Sequence, residues 1–241
     1  MERLLARVDE GKLLNLKGVL MDFGYTLAYL DEGSIRRYRE ELLSTLIRYG
    51  YSKELSDLTL ILEDTYRNTK KGEAKDIYEF WKTLLKNLEI SGSSTLIQEL
   101  TELRKRHLMT RFRLYDSAAL VLSTLRKKYK LALVSNCFVG LSDYLKALNL
   151  TRFFDCIILS YEIGTMKPDR HIYFEALQRL RLRPKECIFV SDSISDLEGA
   201  KEVGIQAFLI SRRENTTYCA KHPNFKPDFK CKHISEIIEF L

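Results

Sequence analysis

Prolines, glycines and long hydrophobic runs are scarce in this chain. Its 241 residues include only 4 prolines and 11 glycines, and the sequence shows no internal repeat or low-complexity segment. With 45% apolar and 30% charged residues, the composition is typical of an ordered, soluble protein. The length suffices for one large domain, or for a core domain that carries a smaller insertion.

Membrane-spanning and secretory patterns are also missing. No apolar run approaches the ~20 residues that cross a bilayer, so we expect no membrane partner. Residues 1–18 carry acidic side chains among their leucines and lack the apolar segment of a signal peptide, which predicts a short amphipathic helix. The five cysteines are an odd number. Without a secretory signal, the simplest location is the reducing cytoplasm.

The net charge of +6 gives little guidance to a partner. Basic residues are interleaved with acidic ones along the helical stretches, and no nucleic-acid recognition motif accompanies them. We therefore expect no nucleic-acid partner, because such a charge bears on solubility and on the attraction of anionic ligands. The pattern leaves open whether the protein is a monomer or a homodimer.

Five short apolar runs predict buried strands of a parallel sheet, because both faces of each run are hydrophobic. The runs are residues 18–22, 131–135, 156–160, 187–191 and 206–210. Amphipathic helical stretches lie near 141–149, 170–181 and 196–203. This alternation predicts right-handed crossovers and an α/β, Rossmann-like fold, closed by a last strand and helix within residues 227–241.

A long interval separates the first predicted strand from the second. It contains no strand-like run and predicts four helices, near 34–50, 53–71, 75–89 and 94–113. Breaks at Gly50, Gly72 and residues 91–93 separate these helices. We therefore predict a four-helix cap, residues 31–113, inserted into a core made of residues 1–30 and 114–241.

Polar side chains follow the predicted strands at the edge where open α/β sheets bind ligands. They are Asp22 with Thr26, Ser135 with Asn136, Lys167 beyond the third strand, and Asp192 with Asp196. Carboxylates, a lysine and hydroxyl groups at one edge suit an anionic substrate and a bound Mg²⁺. This ion takes few carboxylates together with waters and phosphate oxygens.

Each carboxylate admits a functional and a structural interpretation. Asp22 can attack phosphorus and form an acyl phosphate, or it can form a turn after the strand. Asp192 can hold Mg²⁺ together with Asp22, while Asp196 orients water or Lys167. Alternatively, Asp192 and Asp196 serve the start of a helix by capping and by their charge.

The remaining polar residues are equally ambiguous. Ser135 and Asn136 can donate hydrogen bonds to phosphate oxygens, or they can serve as a helix N-cap. Lys167 can offset the repulsion between two carboxylates and stabilise charge on a transferring phosphoryl group. Alternatively, Lys167 is a solvated lysine before a helix whose first turn contains Pro168.

Taken in order, these motifs resemble those of the haloacid dehalogenase-like hydrolases with a helical C1 cap. Asp22-Phe-Gly-Tyr-Thr26 matches the family's Asp-x-Asp-x-Thr motif except at its middle. The second, third and fourth motifs are matched by Ser135, by Lys167-Pro168 and by the segment from Ser191 to Asp196. The resemblance covers residues 16–241, and the helical insertion falls where this class of cap occurs.

The resemblance implies a hydrolase in which Asp22 is the nucleophile. It also implies that Mg²⁺ binds Asp22, Asp192 and the backbone carbonyl of Gly24, and that the cap closes over a small phosphorylated substrate. Asp196 would not bind the metal itself but would orient water or Lys167. The substrate contacts that we expect come from Thr26, Ser135, Asn136 and Lys167.

Gly24 departs from the family pattern. Phosphatases of the family usually carry a second Asp there, which protonates the leaving alkoxide and then activates water. The carbonyl of Gly24 remains for a metal, but the proton donor is lost, and such help is typically worth about 10²–10⁴-fold. We expect slow turnover of alkyl phosphates and faster turnover of aryl or acyl phosphates. Tyr25, Tyr29 or a cap residue could substitute as the donor.

Two other functions stay open at this point. Dehalogenases of the same family also lack the second Asp, and attack of Asp22 on carbon would release halide. Asp192 favours phosphorus, because these dehalogenases need no Mg²⁺ and typically lack this aspartate. Gly24 also fits a catalytically weak protein that keeps the phosphate pocket for binding or regulation.

A separate cluster near the C-terminus contains residue types that bind zinc. Cys219, His222, Cys231 and His233 are spaced unlike a standard zinc finger. A structural zinc and a Cys219–Cys231 disulfide are both minor options. Cys231 and His233 are expected on one face of a strand.

Overall fold

Six parallel strands form the centre of the protein. The computed structural model describes residues 15–211 and 224–241. The strands are β1 (Gly18–Met21), β2 (Ala28–Leu30), β3 (Phe112–Leu114), β4 (Lys130–Ser135), β5 (Cys156–Leu159), β6 (Cys187–Ser191), β7 (Gln206–Ile210) and β8 (Phe229–Cys231). Their order in the main sheet is β5-β4-β1-β6-β7-β8, and β2 pairs only with β3. The parallel α/β sheet is therefore confirmed.

The central strand β1 shows why a continuous apolar run predicted the sheet. Val19 and Met21 lie in one hydrophobic layer, and Leu20 lies in the layer on the opposite face. All three side chains are fully buried. A strand covered on both faces cannot carry the polar residues that alternate along a half-exposed strand.

Four helices follow β2, at nearly the predicted bounds. They are α1 (Glu32–Arg48), α2 (Leu55–Thr69), α3 (Ile77–Asn87) and α4 (Ser94–Arg111). The side chains of Asp31, Asp76 and Ser93 each accept a hydrogen bond from a backbone N–H in the first turn of the helix that follows. Leu42 and Trp81 are fully buried and belong to the same hydrophobic layer as Val19. The predicted helices are confirmed, whereas their action as a cap stays a prediction.

The remaining helices cover the two faces of the sheet. They are α5 (Ala118–Leu125), α6 (Leu141–Ala147), α7 (Ser160–Ile163), α8 (Arg170–Leu180), α9 (Ile194–Glu202) and α10 (Ile237–Phe240). Buried residues of α8 and α9 share a layer with Leu20, while those of α5, α6 and α10 lie in the layer of Val19. Helix α5 was not predicted. Ser160, expected at the end of a strand, begins α7 instead.

The antiparallel pair β2–β3 corrects the expectation that the long interval holds no strand. Ala28 lies opposite Leu114, and Leu30 lies opposite Phe112. Each strand has only three residues, which is too short for an alternating pattern to be recognised in the sequence. The pair joins the segment before α1 to the segment after α4. The domain boundaries themselves stay a prediction.

The C-terminal segment ends as predicted, with β8 followed by the short helix α10. The expectation that Cys231 and His233 share a strand face is wrong. Cys231 is the last residue of β8, whereas His233 lies beyond the strand and precedes a 3₁₀ turn. The predicted N-terminal helix does not reach residue 18, because Gly18 begins β1. Residues 1–14, Cys219 and His222 lie outside the described residues. Within the described ranges, no helix is both long and apolar enough to span a membrane.

Candidate active site

Three predicted site residues lie where three adjacent strands end. Asp22 follows β1, Ser135 is the last residue of β4, and Asp192 follows β6. Because β1 lies between β4 and β6 in the sheet, the carboxyl ends of these strands meet at one edge. The backbone N–H of Asp22 donates to the carbonyl of Val190 in β6 at 2.9 Å, which fixes the position of the nucleophile candidate.

Lys167 lies between two carboxylates. Its Nζ atom is 2.7 Å from Oδ1 of Asp22 and 2.9 Å from Oδ2 of Asp196. The side chain of Lys167 is 0% exposed, and its ammonium group also lies 5.1 Å from the centroid of the Phe189 ring. The alternative of a solvated lysine is therefore wrong. A buried ammonium group needs such partners to remain charged.

The charges of this cluster do not balance. Asp22, Asp192 and Asp196 supply three carboxylates, and within residues 15–211 and 224–241 the positive charge that faces them is that of Lys167. Burial raises the pKa of Asp22 despite the nearby Lys167. Burial, and then the Asp22 carboxylate, raises the pKa of Asp192 to about 7. Burial alone would lower the pKa of Lys167, but Asp196 and Asp22 together raise it. A further cation would relieve this excess of negative charge.

The residues around α9 explain how Asp196 and Lys167 are held. Ser193 is the N-cap residue of α9, and its hydroxyl oxygen accepts a hydrogen bond from the N–H of Asp196 at 3.3 Å. Tyr173 donates its hydroxyl to the carbonyl of Asp196 at 2.6 Å. The interpretation of Asp192 as the N-cap is therefore wrong, while Asp196 does lie in the first turn. A Cβ atom on Gly199 would lie 2.4 Å from the carbonyl of Pro168, so α9 passes directly beside the Lys167-Pro168 pair.

The loop after Asp22 turns tightly around Gly24. The carbonyl of Phe23 accepts hydrogen bonds from the N–H groups of Leu27 and Ala28 at 2.9 and 3.0 Å. Tyr25 has a left-handed backbone, with φ of 53°. A Cβ atom on Gly24 would meet no other atom within 4 Å, so a side chain at this position would enter open space beside Asp22.

The structure gives Asn136 partners other than a phosphate. Its Oδ1 accepts from the backbone N–H of Lys167 at 2.7 Å, and its Nδ2 donates to the carbonyl of Lys167 at 2.9 Å. The carboxamide therefore holds the backbone of a residue 31 positions away, and the predicted contact of Asn136 with substrate stays a prediction. The N-cap interpretation is also wrong, because the N-cap of α6 is Gly140. No local pattern in the sequence could have indicated this contact.

Thr26 and Ser135 lie deep in the fold. Thr26 is 0% exposed and Ser135 is 3% exposed. Their predicted contacts with substrate stay predictions, as does the role of the Gly24 carbonyl. A cavity of about 550 Å³ begins at Tyr25 and extends between α1 and α2, where Arg36 and Arg39 contribute to its wall.

The donor set fits Mg²⁺ better than a metal that needs many protein ligands. Among residues 15–211 and 224–241, no three His, Cys, Asp or Glu side chains form a metal cluster. Mg²⁺ is commonly held by one or two carboxylates, with waters and phosphate oxygens completing its octahedron. Asp22 and Asp192 supply two carboxylates, and burial, followed by the Asp22 carboxylate, raises the pKa of Asp192, so a cation would stabilise its charged form.

Cys231 and His233 are the members of the C-terminal cysteine–histidine cluster that the structure describes. Cys231 is buried, and its thiol donates to the carbonyl of His233 at 3.1 Å. Because Cys219 and His222 are not described, a zinc site or a disulfide at this place stays a prediction.

The parallel sheet, the inserted helices and the carboxylate–lysine cluster define an α/β enzyme. The family model of the haloacid dehalogenase-like hydrolases matches residues 16–204, which is most of the chain. The protein therefore belongs to the haloacid dehalogenase-like hydrolase family.

Curated relatives of this chain include phosphatases and a dehalogenase. The glyceraldehyde 3-phosphate phosphatase of Methanopyrus kandleri is 25% identical over 94% of this chain and 97% of its own length. The (S)-2-haloacid dehalogenase 1 of Pseudomonas sp. (strain CBS-3) is 33% identical over 68% of this chain and 73% of its own length. The mouse haloacid dehalogenase-like hydrolase domain-containing protein 3 is 39% identical, but the match spans only 40% of that protein.

Solved structures of a phosphatase and of a dehalogenase share this fold. A phosphatase from Thermococcus onnurineus has a TM-score of 0.70 at 24% identity, over 93% of this chain and 97% of its own. A 2-haloacid dehalogenase from Pseudomonas syringae pv. Tomato DC3000 has a TM-score of 0.72 at 20% identity, with the same coverage. The fold alone therefore does not distinguish attack on phosphorus from attack on carbon.

Proposed function

We propose that this protein is a Mg²⁺-dependent phosphohydrolase that hydrolyses a small phosphorylated metabolite through an aspartyl phosphate on Asp22. The observation that carries the proposal is the excess of carboxylates around Lys167, with Asp192 as an additional acidic residue next to Asp22. A 2-haloacid is itself an anion and brings no cation to offset that negative charge. A bound Mg²⁺ offsets it and also accepts the oxygens of a phosphate.

Asp22 and Lys167 supply the covalent step in this proposal. A carboxylate oxygen of Asp22 attacks phosphorus, the bond from phosphorus to the ester oxygen breaks, and the leaving oxygen takes its proton from solvent. Water then attacks the aspartyl phosphate, which releases inorganic phosphate and restores the Asp22 carboxylate. Lys167, 2.7 Å from Asp22, and Ser135 stabilise the charge on the phosphoryl oxygens.

Mg²⁺ would be held by Asp22, Asp192 and the carbonyl of Gly24. When bound, it neutralises negative charge on the carboxylates and on the phosphoryl oxygens. Asp196 acts on the ammonium group of Lys167, which it contacts at 2.9 Å, and so keeps that group beside Asp22. The predictions of a cytoplasmic location, of no nucleic-acid partner, and of a monomer or homodimer stand beside this proposal as expectations.

The substrate class follows from Gly24. Because no carboxyl group at this position can protonate a leaving oxygen, substrates with stable leaving groups, such as acyl phosphates or phosphates of acidic alcohols, react fastest. The cavity lined by Tyr25 and by residues of α1 and α2 is where we place the part of the substrate that leaves.

A second candidate function is dehalogenation of a 2-haloacid. The relative of 33% identity from Pseudomonas favours it, as does Gly24 at the place of the second Asp. In this case Asp22 attacks carbon, halide leaves with the bonding electron pair, and water hydrolyses the ester. Asp192 would then have no metal to hold.

Metal dependence separates the two candidates. We expect the purified protein to hydrolyse 4-nitrophenyl phosphate and acetyl phosphate with Mg²⁺, to lose this activity in EDTA, and to regain it when Mg²⁺ is restored. An Asp22→Asn variant serves as the control for a contaminating phosphatase. Release of chloride from 2-chloropropionate that persists in EDTA, without phosphatase activity, would contradict the proposal.

The affinity for Mg²⁺ should depend on pH through Asp192. Since a carboxyl with a pKa of about 7 must lose its proton to bind the metal, the dissociation constant should fall as pH rises toward 7 and level off above it. The expected slope is about tenfold per pH unit below 7, with close to one proton released per ion. Titration calorimetry between pH 5.5 and 8.5 in buffers of different ionisation enthalpy measures both quantities. An Asp192→Asn variant should show weak binding without this slope, and a flat profile for the unaltered protein would contradict the assignment.

A further inference from the structure

The geometry points to Asn136 as a positioning residue that acts on the reaction through Lys167. The inference rests on the proposed function only for the role of Lys167 in binding the phosphoryl group. The placement of Lys167 by Asn136 stands on the contacts themselves.

Asn136 binds the backbone of Lys167 at both of its polar groups. The side-chain amide of Asn136 accepts a hydrogen bond from the N–H of Lys167 at 2.7 Å and donates one to the Lys167 carbonyl at 2.9 Å. The pair resembles the hydrogen bonds that a neighbouring strand would make. Such paired bonds fix the position of a peptide unit as well as its orientation. They connect the end of β4, directly after Ser135, to the segment that precedes α8.

The other side of this segment is held by α9. The close approach of Gly199 to Pro168 leaves no room for the segment to move toward the helix. The two hydrogen bonds of Asn136 keep the segment from moving away from the end of β4. The Lys167 backbone is therefore fixed from two sides, and the long, otherwise flexible side chain spans from this fixed point to Asp22 and Asp196.

This placement matters because the ammonium group of Lys167 meets both carboxylates at hydrogen-bond distance. Misplacement of a catalytic group by about 1 Å can cost on the order of 10²-fold in rate. Loss of the Asn136 contacts should therefore reduce phosphoryl transfer although Asn136 itself touches no reacting atom.

Ser160, the first residue of α7, offers a matched control because it holds the loop that contains Asn136. Its hydroxyl accepts from the N–H of Cys137 at 3.0 Å and donates to the carbonyl of Cys137 at 3.1 Å. It therefore holds a backbone unit in the same way as Asn136, but this unit belongs to a residue outside the proposed machinery. Loss of Ser160 reports the structural cost of releasing the loop.

A double-mutant cycle between Asn136→Ala and Lys167→Ala tests the inference. In the presence of Lys167, we expect Asn136→Ala to lower kcat for 4-nitrophenyl phosphate, and to weaken the calorimetric affinity for inorganic phosphate, by about 10–100-fold. In the Lys167→Ala background the further loss in phosphate affinity should be below about threefold, because the effects of residues that act through one another are not additive.

Asn136→Asp, which keeps the acceptor for the Lys167 N–H, should recover part of the loss. Ser160→Ala should lower the melting temperature but change kcat by less than about threefold.

Equal losses in both backgrounds would overturn the inference, since Asn136 would then act independently of Lys167, for example by direct contact with phosphate. A crystal structure of the Asn136→Ala variant provides a readout that does not depend on activity. We expect Nζ of Lys167 to leave hydrogen-bond distance of at least one carboxylate. If Nζ kept both contacts, the inference would be wrong, whereas absence of Asp22-dependent phosphatase activity in the unaltered protein would contradict only the proposed function.

Discussion

Replacing Gly24 with Asp is expected to raise kcat/KM for simple alkyl monophosphates by about 10²-fold, at the lower end of what general acid–base catalysis contributes. The position is two residues beyond the proposed nucleophile, and the new Cβ would meet no atom within 4 Å. Gly24 also lacks a left-handed backbone, so a side chain brings no conformational strain there. The new carboxyl group can protonate the leaving oxygen and then activate the attacking water.

The gain should depend on the leaving group. An alkoxide needs a proton to depart, whereas 4-nitrophenolate does not, so turnover of 4-nitrophenyl phosphate should change by less than about tenfold. Steady-state kinetics on a series of phosphate esters with leaving groups of increasing pKa tests this dependence. The rate of the Gly24→Asp variant should fall less steeply with leaving-group pKa than the rate of the unaltered protein. Gly24→Asn is the control of equal size without an acid, and it should leave the dependence steep. A variant that accelerates all esters equally, or none, would show that the missing carboxyl group is not what limits this enzyme.

Replacing Asp22 with Asn is expected to lower turnover by at least about 10⁴-fold, because loss of a nucleophile removes the covalent route altogether. The same change should make the metal-free protein more stable at pH 7.5. Burial raises the pKa of Asp22, so the folded protein must keep a carboxylate in a place that disfavours its charge. Asparagine has the same shape and no charge, and Lys167 keeps Asp196 as a partner.

The pH dependence fixes the sign of this stability effect. A carboxyl group whose pKa is raised on folding contributes stability below its unfolded pKa, and this contribution is lost as the pH rises through the folded pKa. The advantage of Asp22→Asn should therefore be present at pH 7.5 and disappear near pH 4. For a chain of this size each kcal/mol corresponds to about 2–4 °C in melting temperature, so scanning calorimetry in EDTA resolves the difference.

Asp31 is the matched control with the opposite sign. Hydrogen bonds from Arg113 and from Ser34 lower its pKa, so its charge stabilises the folded protein above its unfolded pKa. Asp31→Asn should destabilise the protein at pH 7.5 and have a smaller effect at pH 4. If Asp22→Asn behaved like Asp31→Asn, the buried cluster would not carry the excess of negative charge that supports the proposed metal site.

The parts of the fold that were predictable are those in which burial controls the sequence. The central strands have water on neither face, so residues such as Val19, Leu20 and Met21 form an unbroken apolar run. The helices α1–α4 bury one face, and their apolar residues repeat accordingly. The strands β2 and β3 have only three residues each, and pairing between distant short segments leaves no local pattern.

The site was predictable to the extent that it follows from strand ends. Asp22, Ser135 and Asp192 lie where a parallel sheet must present them, and Lys167 comes close enough to contact Asp22. The partner of Asn136 was not predictable, because the contact joins a side chain to the backbone of a segment far along the chain. The opposite interpretation, a phosphate ligand, follows equally well from the residue type.

The position of β1 in the sheet also has a consequence for how the chain can fold during synthesis. Gly18 lies opposite Lys130 on one side and opposite Cys187 on the other, so β1 has no partner in the main sheet until much of the chain has followed. The helices α1–α4 pack against one another, and α4 also contacts α6 and β3, so their mutual contacts can form before either partner strand exists. An apolar strand that waits in this way is exposed to aggregation and to chaperones. Truncated chains that end before β4 should therefore contain a folded helical segment and an unprotected β1.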